Sequence, residues 1–217
     1  MTTQLQVRND TASNWTTSNP TLLSGERGAE TDTLKLKVGN GTLTWGNLAA
    51  IPTEQIVVLN TAYTLTSQTA AQKLFNNTTN GALTLPVGTY YFECFYSLSS
   101  MSATSGSFGF ALGGTATSTR QWWSLAQKGT ATLSTATATQ STYNTAAANT
   151  TLATASTNTV GYAHIRGIIN VTVAGTIIPQ VSLGVAAAAV VGVGSYFKIS
   201  PAAAANSTTN VTIGNWS

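Results

Sequence analysis

The 217-residue chain has very little charge. It holds nine Lys and Arg, six Asp and Glu and one His, so charged residues make up 7%, against about 25% in an average soluble domain. After Glu54 a single carboxylate remains, Glu93. Glycoside hydrolysis needs two acids across a cleft, so that chemistry is not expected of the C-terminal three quarters. His164 is the one histidine and Cys94 the one cysteine. A lone cysteine excludes an intrachain disulfide. A lone histidine without a Ser or Cys nucleophile motif reads as a strand residue rather than a general base. Glu26, Glu30 and Asp32 form the one acidic cluster, but Arg27, Lys35 and Lys37 lie beside them, so ion pairing is expected rather than a bound cation. Gly25-x-x-Gly28 lacks the Lys and helix of a phosphate loop. No enzyme activity, cofactor or metal is therefore expected. The basic residues are scattered and the net charge is only +3, so no nucleic-acid partner is expected. No apolar run reaches a membrane span: residues 185–194 (VAAAAVVGVG) are too few and too Gly-rich. The start, MTTQLQVRND, lacks the apolar core of a leader peptide.

The missing charge is replaced by Thr, Ser, Asn, Ala and Gly, while hydrophobic residues reach 42%. Disordered chains combine low hydrophobicity with high net charge, and this chain has neither. The composition points to rigid β-structure that buries apolar surface against copies of itself. Residues 19–48 (NPTLLSGERGAETDTLKLKVGNGTLTWGNL) hold much of the charge and are punctuated by Asn19-Pro20, Gly25, Gly28, Gly39-Asn40-Gly41 and Gly46. Strands are predicted over 33–38 and 42–45, joined as a hairpin by Asn40-Gly41.

This pattern resembles the N-terminal module of bacteriophage fibres and tropism-determinant proteins. The matching positions are Asn19, Pro20, Leu22, Gly25, Glu26, Gly28, Glu30, Asp32, Thr33, Lys37, Gly39, Gly41, Trp45 and Leu48. Asn40 stands where such modules often carry Asp, and supports the same turn. The resemblance covers about residues 4–51. It implies a trimeric virion protein whose first module serves for attachment.

Residues 52–62 read as a connector, and the signal from 63 to 203 is β throughout. Alternating segments lie at 84–98, broken at Pro86 and Gly88, and at 107–112, 120–127 and 130–143. Others lie at 160–173, broken at Gly167, and at 176–185 and 194–199. Helix is scarce: 69–75 and 186–191 are each long enough for a single turn, but the Ala-rich tracts read as strand and loop, where small residues allow tight packing between subunits. This region resembles the jelly-roll heads of the tumour necrosis factor and complement-globular-head superfamily. The features that carry the likeness are GTYYFECFYSL (88–98), HIRGIINVTVAGTIIPQVSL (164–183) and GSYFKISP (194–201). The resemblance implies an antiparallel jelly-roll β-sandwich that trimerises about an axis lined by apolar and aromatic residues. The remaining 204–217 form a tail segment.

Trp122 and Trp123 are adjacent strand residues and so face opposite sides. With Tyr196 and Phe197 they are the candidates for a trimer interface, or for a glycan site where a Trp is exposed. Glu93 and Arg166, among the few charges of the head, are candidates to pair. The sequence reading is thus an all-β, trimeric virion structural protein. It is made in the host bacterial cytoplasm and placed on the virion surface. Residues 1–51 would attach it to the major capsid protein or a tail protein, and the head would project as a capsid decoration or head fibre. The absence of a long shaft repeat favours the capsid. The runner-up is a tail-tip protein that recognises host surface glycan.

Overall fold

A computed structural model describes residues 7–33, 35–48, 50–51, 54–130, 132, 139–145 and 149–203. The tail segment 204–217, and most of the Thr-rich stretch before residue 139, lie outside the described residues. The chain divides into two compact units, Met1–Thr53 and Glu54–Ser217.

The first unit is a three-stranded sheet with one short helix. β1 (Arg8–Asp10) pairs in parallel with β2 (Arg27–Glu30), and β2 pairs antiparallel with β3 (Leu36–Val38). Between β1 and β2 lies α1 (Ala12–Ser18), an element the sequence reading missed. Its ends carry ordinary stop signals. The Thr11 hydroxyl accepts the Asn14 amide at its start. Asn19 closes it in the left-handed conformation at φ 35°, one residue before Pro20, which cannot continue a helix.

The predicted hairpin at Asn40-Gly41 is not formed. Residues 42–44 do not pair with β3, and Trp45–Asn47 form a 3-10 turn. The Asn40 side chain instead accepts the amides of Thr42 (3.0 Å) and Leu43 (2.8 Å), and the Gly41 amide turns away to the Leu22 carbonyl. An Asx-type turn satisfies the backbone that a hairpin ladder would have used. The antiparallel hairpin of this unit is β2–β3, one element earlier. The predicted strand over 33–38 is correspondingly cut to β3.

The second unit is an antiparallel two-sheet sandwich. Its elements are β4 (Gln55–Val58), β5 (Tyr63–Thr64), β6 (Gln72–Lys73), β7 (Leu83–Leu85), β8 (Gly88–Ser99), β9 (Phe108–Gly113) and β10 (Thr117–Gly129). They continue as β11 (Gln140–Asn144), β12 (Thr150–Ala153), β13 (Val160–Val173), β14 (Gly175–Leu183), β15 (Val190–Val191) and β16 (Tyr196–Ala203). The larger sheet runs β11-β10-β13-β8, after which β15 and β16 share the far edge of β8, with β5 beyond β15 and β4 beyond β16. The smaller runs β12-β9-β14-β6, with β7 also on β14. No helical turn forms at 69–75 or 186–191: as read for the Ala-rich tracts, these segments are strand and loop, with β6 at Gln72–Lys73 and β15 at Val190–Val191, where valine favours the strand.

The core lies between the sheets and is aromatic. Phe92 stacks on Phe197 (5.8 Å between centroids) and lies 6.5 Å from Phe110, while Trp122 meets Phe110 edge-on at 5.6 Å. β13 is continuous through Gly167, where a break was expected. The glycine is there for space: a Cβ at that position would lie 2.5 Å from the Trp122 Cβ and 2.4 Å from the Gln121 carbonyl. Two cations are buried with Trp122 on the inward face of β10. Arg120 donates to the Leu112 carbonyl, and Lys128 donates to the Thr154 carbonyl and, at 2.8 Å, to Ser156. They tie β10 to β9 and to the segment after β12.

Candidate functional site

In the first unit the motif residues build a core and its turns. Trp15 and Trp45 stack face to face, with centroids 3.9 Å apart and planes 14° off parallel. With Leu22 and Leu48 they form the buried cluster of this unit. Arg8 lies over the outer face of Trp15 at 5.3 Å, and the Lys37 ammonium over Trp45 at 4.8 Å. The resulting four-layer cation–aromatic stack is the kind of contact that gains strength away from water. Lys37 also donates to the Trp45 carbonyl at 2.7 Å, and burial lowers its pKa. Gly28 leaves the room the stack needs, since a Cβ there would lie 2.5 Å from the Trp45 ring.

The three acids do not converge. Glu30 is buried and accepts Trp45 Nε1 at 3.3 Å and the Thr33 hydroxyl, with Lys35 at 3.9 Å. Glu26 accepts the Leu23 amide at 2.8 Å and meets Arg8 at 3.5 Å. Asp32 accepts the Ala12 amide at the start of α1, at 2.8 Å. Each fixes a different piece of backbone. Of the expected ion pairs Lys35–Glu30 forms, whereas Lys37 is drawn onto Trp45. Asn19 accepts the Gly46 amide at 2.8 Å, and the Pro20 carbonyl accepts the Trp45 amide at 2.8 Å. Gly25 and Gly41 hold positive φ, at 83° and 78°. Gly39 packs so closely that a Cβ would meet the Leu23 carbonyl at 2.2 Å.

In the second unit the notable surface is the outer face of the larger sheet. Alternation along β10 buries Trp122 at 1% exposure and leaves Trp123 at 48%. Strand register then sets Trp123 in a row across six strands: Tyr143, Trp123, Arg166, Glu93, Lys198 and Ile56. The next row is Ser141, Leu125, His164, Phe95, Tyr196 and Val58. Tyr143, Leu125, Ile56 and Val58 are exposed, while Phe95 lies beside Tyr196 and Tyr162 at about 6 Å. Phe197, paired with Tyr196 in the expectation, points the other way into the core.

Glu93 sits at the centre of this face. One carboxylate oxygen meets His164 Nε2 at 2.7 Å, the Tyr196 hydroxyl at 2.8 Å and Arg166 at 3.3 Å, and Lys198 stands 3.9 Å from the other. Glu93 and Arg166 therefore pair within one chain. Burial acts to raise the Glu93 pKa, but the hydrogen bonds from His164 and Tyr196 and the Arg166 charge outweigh it, so the value falls from 4.5 to about 2. Burial and the bond to Glu93 push the Tyr196 hydroxyl up to about 12. His164 is thus a partner of the Glu93 carboxylate, with Arg166 Nε 3.3 Å from the same ring nitrogen.

The opposite outer face has a different character. β14 presents Ile178, Gln180 and Ser182 against Gly113, Ala111 and Gly109 of β9. Of these, Ala111 and Ser182 are buried.

Sequence reasoning singled out Trp123, Tyr196, Glu93 and Arg166 but missed Tyr143, Leu125, Lys198 and Ile56. What joins these eight is cross-strand register, which a single sequence does not display. In the first unit it missed Trp15 and Arg8, the outer half of the stack.

Residues 5–43 match the family described as the major tropism determinant N-terminal domain, a domain of a phage protein. The match falls wholly within the first unit and includes Arg8, Trp15, Gly28, Glu30 and Lys37. No curated protein and no solved structure matches the chain. The first unit is thus of phage tropism-determinant type, and it precedes a β-sandwich.

Proposed function

We propose that the protein is a phage virion structural protein that works by binding rather than catalysis. Its first unit anchors it to the particle and its sandwich, a jelly-roll head of tumour necrosis factor type, projects outward as a homotrimer. The observation that carries this reading is the tropism-determinant match confined to a compact unit of its own. Three chains held together engage three equivalent sites at once, which multiplies weak contacts into lasting attachment. A threefold assembly suits the local symmetry of an icosahedral shell, so the preferred partner is the major capsid protein and the preferred place the capsid exterior.

A second reading is a tail-tip protein that recognises host surface glycan. It is favoured by the name of the matched domain, a determinant of tropism, and by Trp123, exposed between Tyr143 and Arg166 in the way a pyranose-stacking residue would be. Gold-labelled antibody against the protein, viewed on intact virions by electron microscopy, separates the two. Label over the capsid is the expected result. Label confined to the tail end would replace decoration by host recognition, and unlabelled virions would contradict both.

A further inference from the structure

We propose that the open edge of the sandwich beside β4 is closed by the chain's own C-terminal segment. Residues 210–213 (NVTI) lie along β4 as an added strand and set Val211 and Ile213 into the groove beneath it.

The edge offers backbone groups to pair. Among the described residues β4 pairs with β16 alone. The Leu59 amide donates to the Ser195 carbonyl at 2.9 Å, in register with the pairs Val57–Phe197 and Gln55–Ile199. Bonded and non-bonded positions alternate along an antiparallel ladder, so the odd-numbered residues bond to β16. The amides and carbonyls of Ile56 and Val58 then point away from the sheet. The side chains of these two residues are exposed, and β4 carries no charge. A free apolar edge of this kind recruits another strand unless it is protected.

A groove lies just inside that edge, between β4 and β16 of the larger sheet and β7 and β14 of the smaller. The buried Phe75, Phe197 and Ile199 line it, together with Val57, Leu83 and Pro179. Its volume is about 240 Å³. Pockets that enclose a small-molecule ligand run to roughly 300–1,000 Å³, so this one suits a few apolar side chains. Backbone groups to pair and a groove for every second side chain are the means by which a sheet takes up an extended peptide.

The chain supplies such a peptide. Residues 204–217 follow β16 and lie outside the described residues. In sequence, Asn210, Val211, Thr212 and Ile213 alternate polar and apolar, and Val, Thr and Ile favour strands. Beside β4 this alternation turns Val211 and Ile213 to the groove and Asn210 and Thr212 to the outer face. The distance is short. From Ile199, β16 runs four residues to Ala203, about 13 Å, and crossing β4 takes about 10 Å more. The ten residues 204–213 reach up to about 34 Å.

Hydrogen exchange of the full chain, resolved to single amides, tests this. The Ile56 and Val58 amides are expected to be protected in the wild type. In the double variant Val211→Asp/Ile213→Asp they are expected to exchange at least about tenfold faster, because an apolar groove rejects carboxylates and the edge opens locally. The amides of β8 and β13 should be unchanged, which shows the sandwich intact. Ala82→Trp, which adds bulk at the lining of the groove, should expose the same two amides from the other side. Ser207→Asp adds a charge ahead of the pairing segment and should leave them protected. Wild-type Ile56 and Val58 amides that exchange as fast as an open strand would overturn the proposal. So would protection that the double variant does not move: a second copy covers the edge if that protection falls on dilution, and another part of the chain does if it persists. Protection that needs Val211 and Ile213 but is lost on dilution would give the strand to a neighbouring copy and overturn its assignment to the same chain.

Discussion

Trp45→Ala is expected to unfold the first unit while leaving the sandwich folded. The indole is 1% exposed, stacks on Trp15 at 3.9 Å, donates to buried Glu30 and carries Lys37 over its other face. Removing a buried tryptophan costs about 3–5 kcal/mol. A unit of this size has a total stability of only about 3–8 kcal/mol, at 0.05–0.15 kcal/mol per residue. The buried cluster of the unit has four members, and two of them are the stacked indoles. The loss also strands the Glu30 carboxylate, which keeps Lys35 and Thr33 but loses the indole donor. Limited proteolysis reads the outcome. Cleavage should move into residues 7–51 and release a resistant fragment beginning near Glu54. Resistance equal to the wild type would show that the stack is not the core of this unit.

The second large effect is the acid dependence of the sandwich. Glu93 has its pKa held at about 2, below its ordinary 4.5, so the folded state prefers the ionised form. A depressed carboxylate contributes stability that is present above pH 4.5 and is lost as pH falls through the folded value. One pKa unit corresponds to about 1.4 kcal/mol, so the shift sets an upper bound of about 3 kcal/mol, reduced by partial solvent access to the group. Denaturant midpoints of the full chain and of Glu93→Gln, measured from pH 6 to pH 2, isolate this contribution as a difference. The wild type should be the more stable above about pH 5, and the two should converge by about pH 2. A difference independent of pH would mean that Glu93 acts through packing and hydrogen bonding alone.

Much of the fold could be read from the chain because the strand signals are local. The alternation of GTYYFECFYSL marks β8, Pro86 with Gly88 marks its start, and Trp122-Trp123 places one indole inside and one outside without reference to any other strand. What could not be read depends on contacts distant in sequence. The Asn40-Gly41 pair is a strong local hairpin signal, yet the Pro20 carbonyl takes the Trp45 amide and the Leu22 carbonyl takes the Gly41 amide. Tertiary bonds from residues twenty positions away decided the outcome. Gly167 looked like a strand break because its reason for being glycine, Trp122, sits on a neighbouring strand. α1 was hidden for a different reason. Thr, Ser and Asn are weak helix formers, and this helix rests on its caps and on one buried face at Trp15.

The same limit applied to function. The residues that recur in the N-terminal pattern read as an attachment and turn motif, and the structure displays their part in the turns and the core of the module. Glu26, Glu30 and Asp32 each hold a separate turn or cap, and the glycines accept close approaches and positive φ. The docking surface is then sought among side chains that the motif leaves free, such as Leu23 at 74% exposure.

The division of labour between the two units is tested most directly on particles that lack this protein. They are incubated with the full chain or with a chain that begins at Glu54, then sedimented and washed. The account predicts that the full chain sediments with the particles and that the truncated sandwich stays in the supernatant, still folded. Equal retention of the truncated chain would place attachment in the sandwich and contradict the role assigned to the first unit.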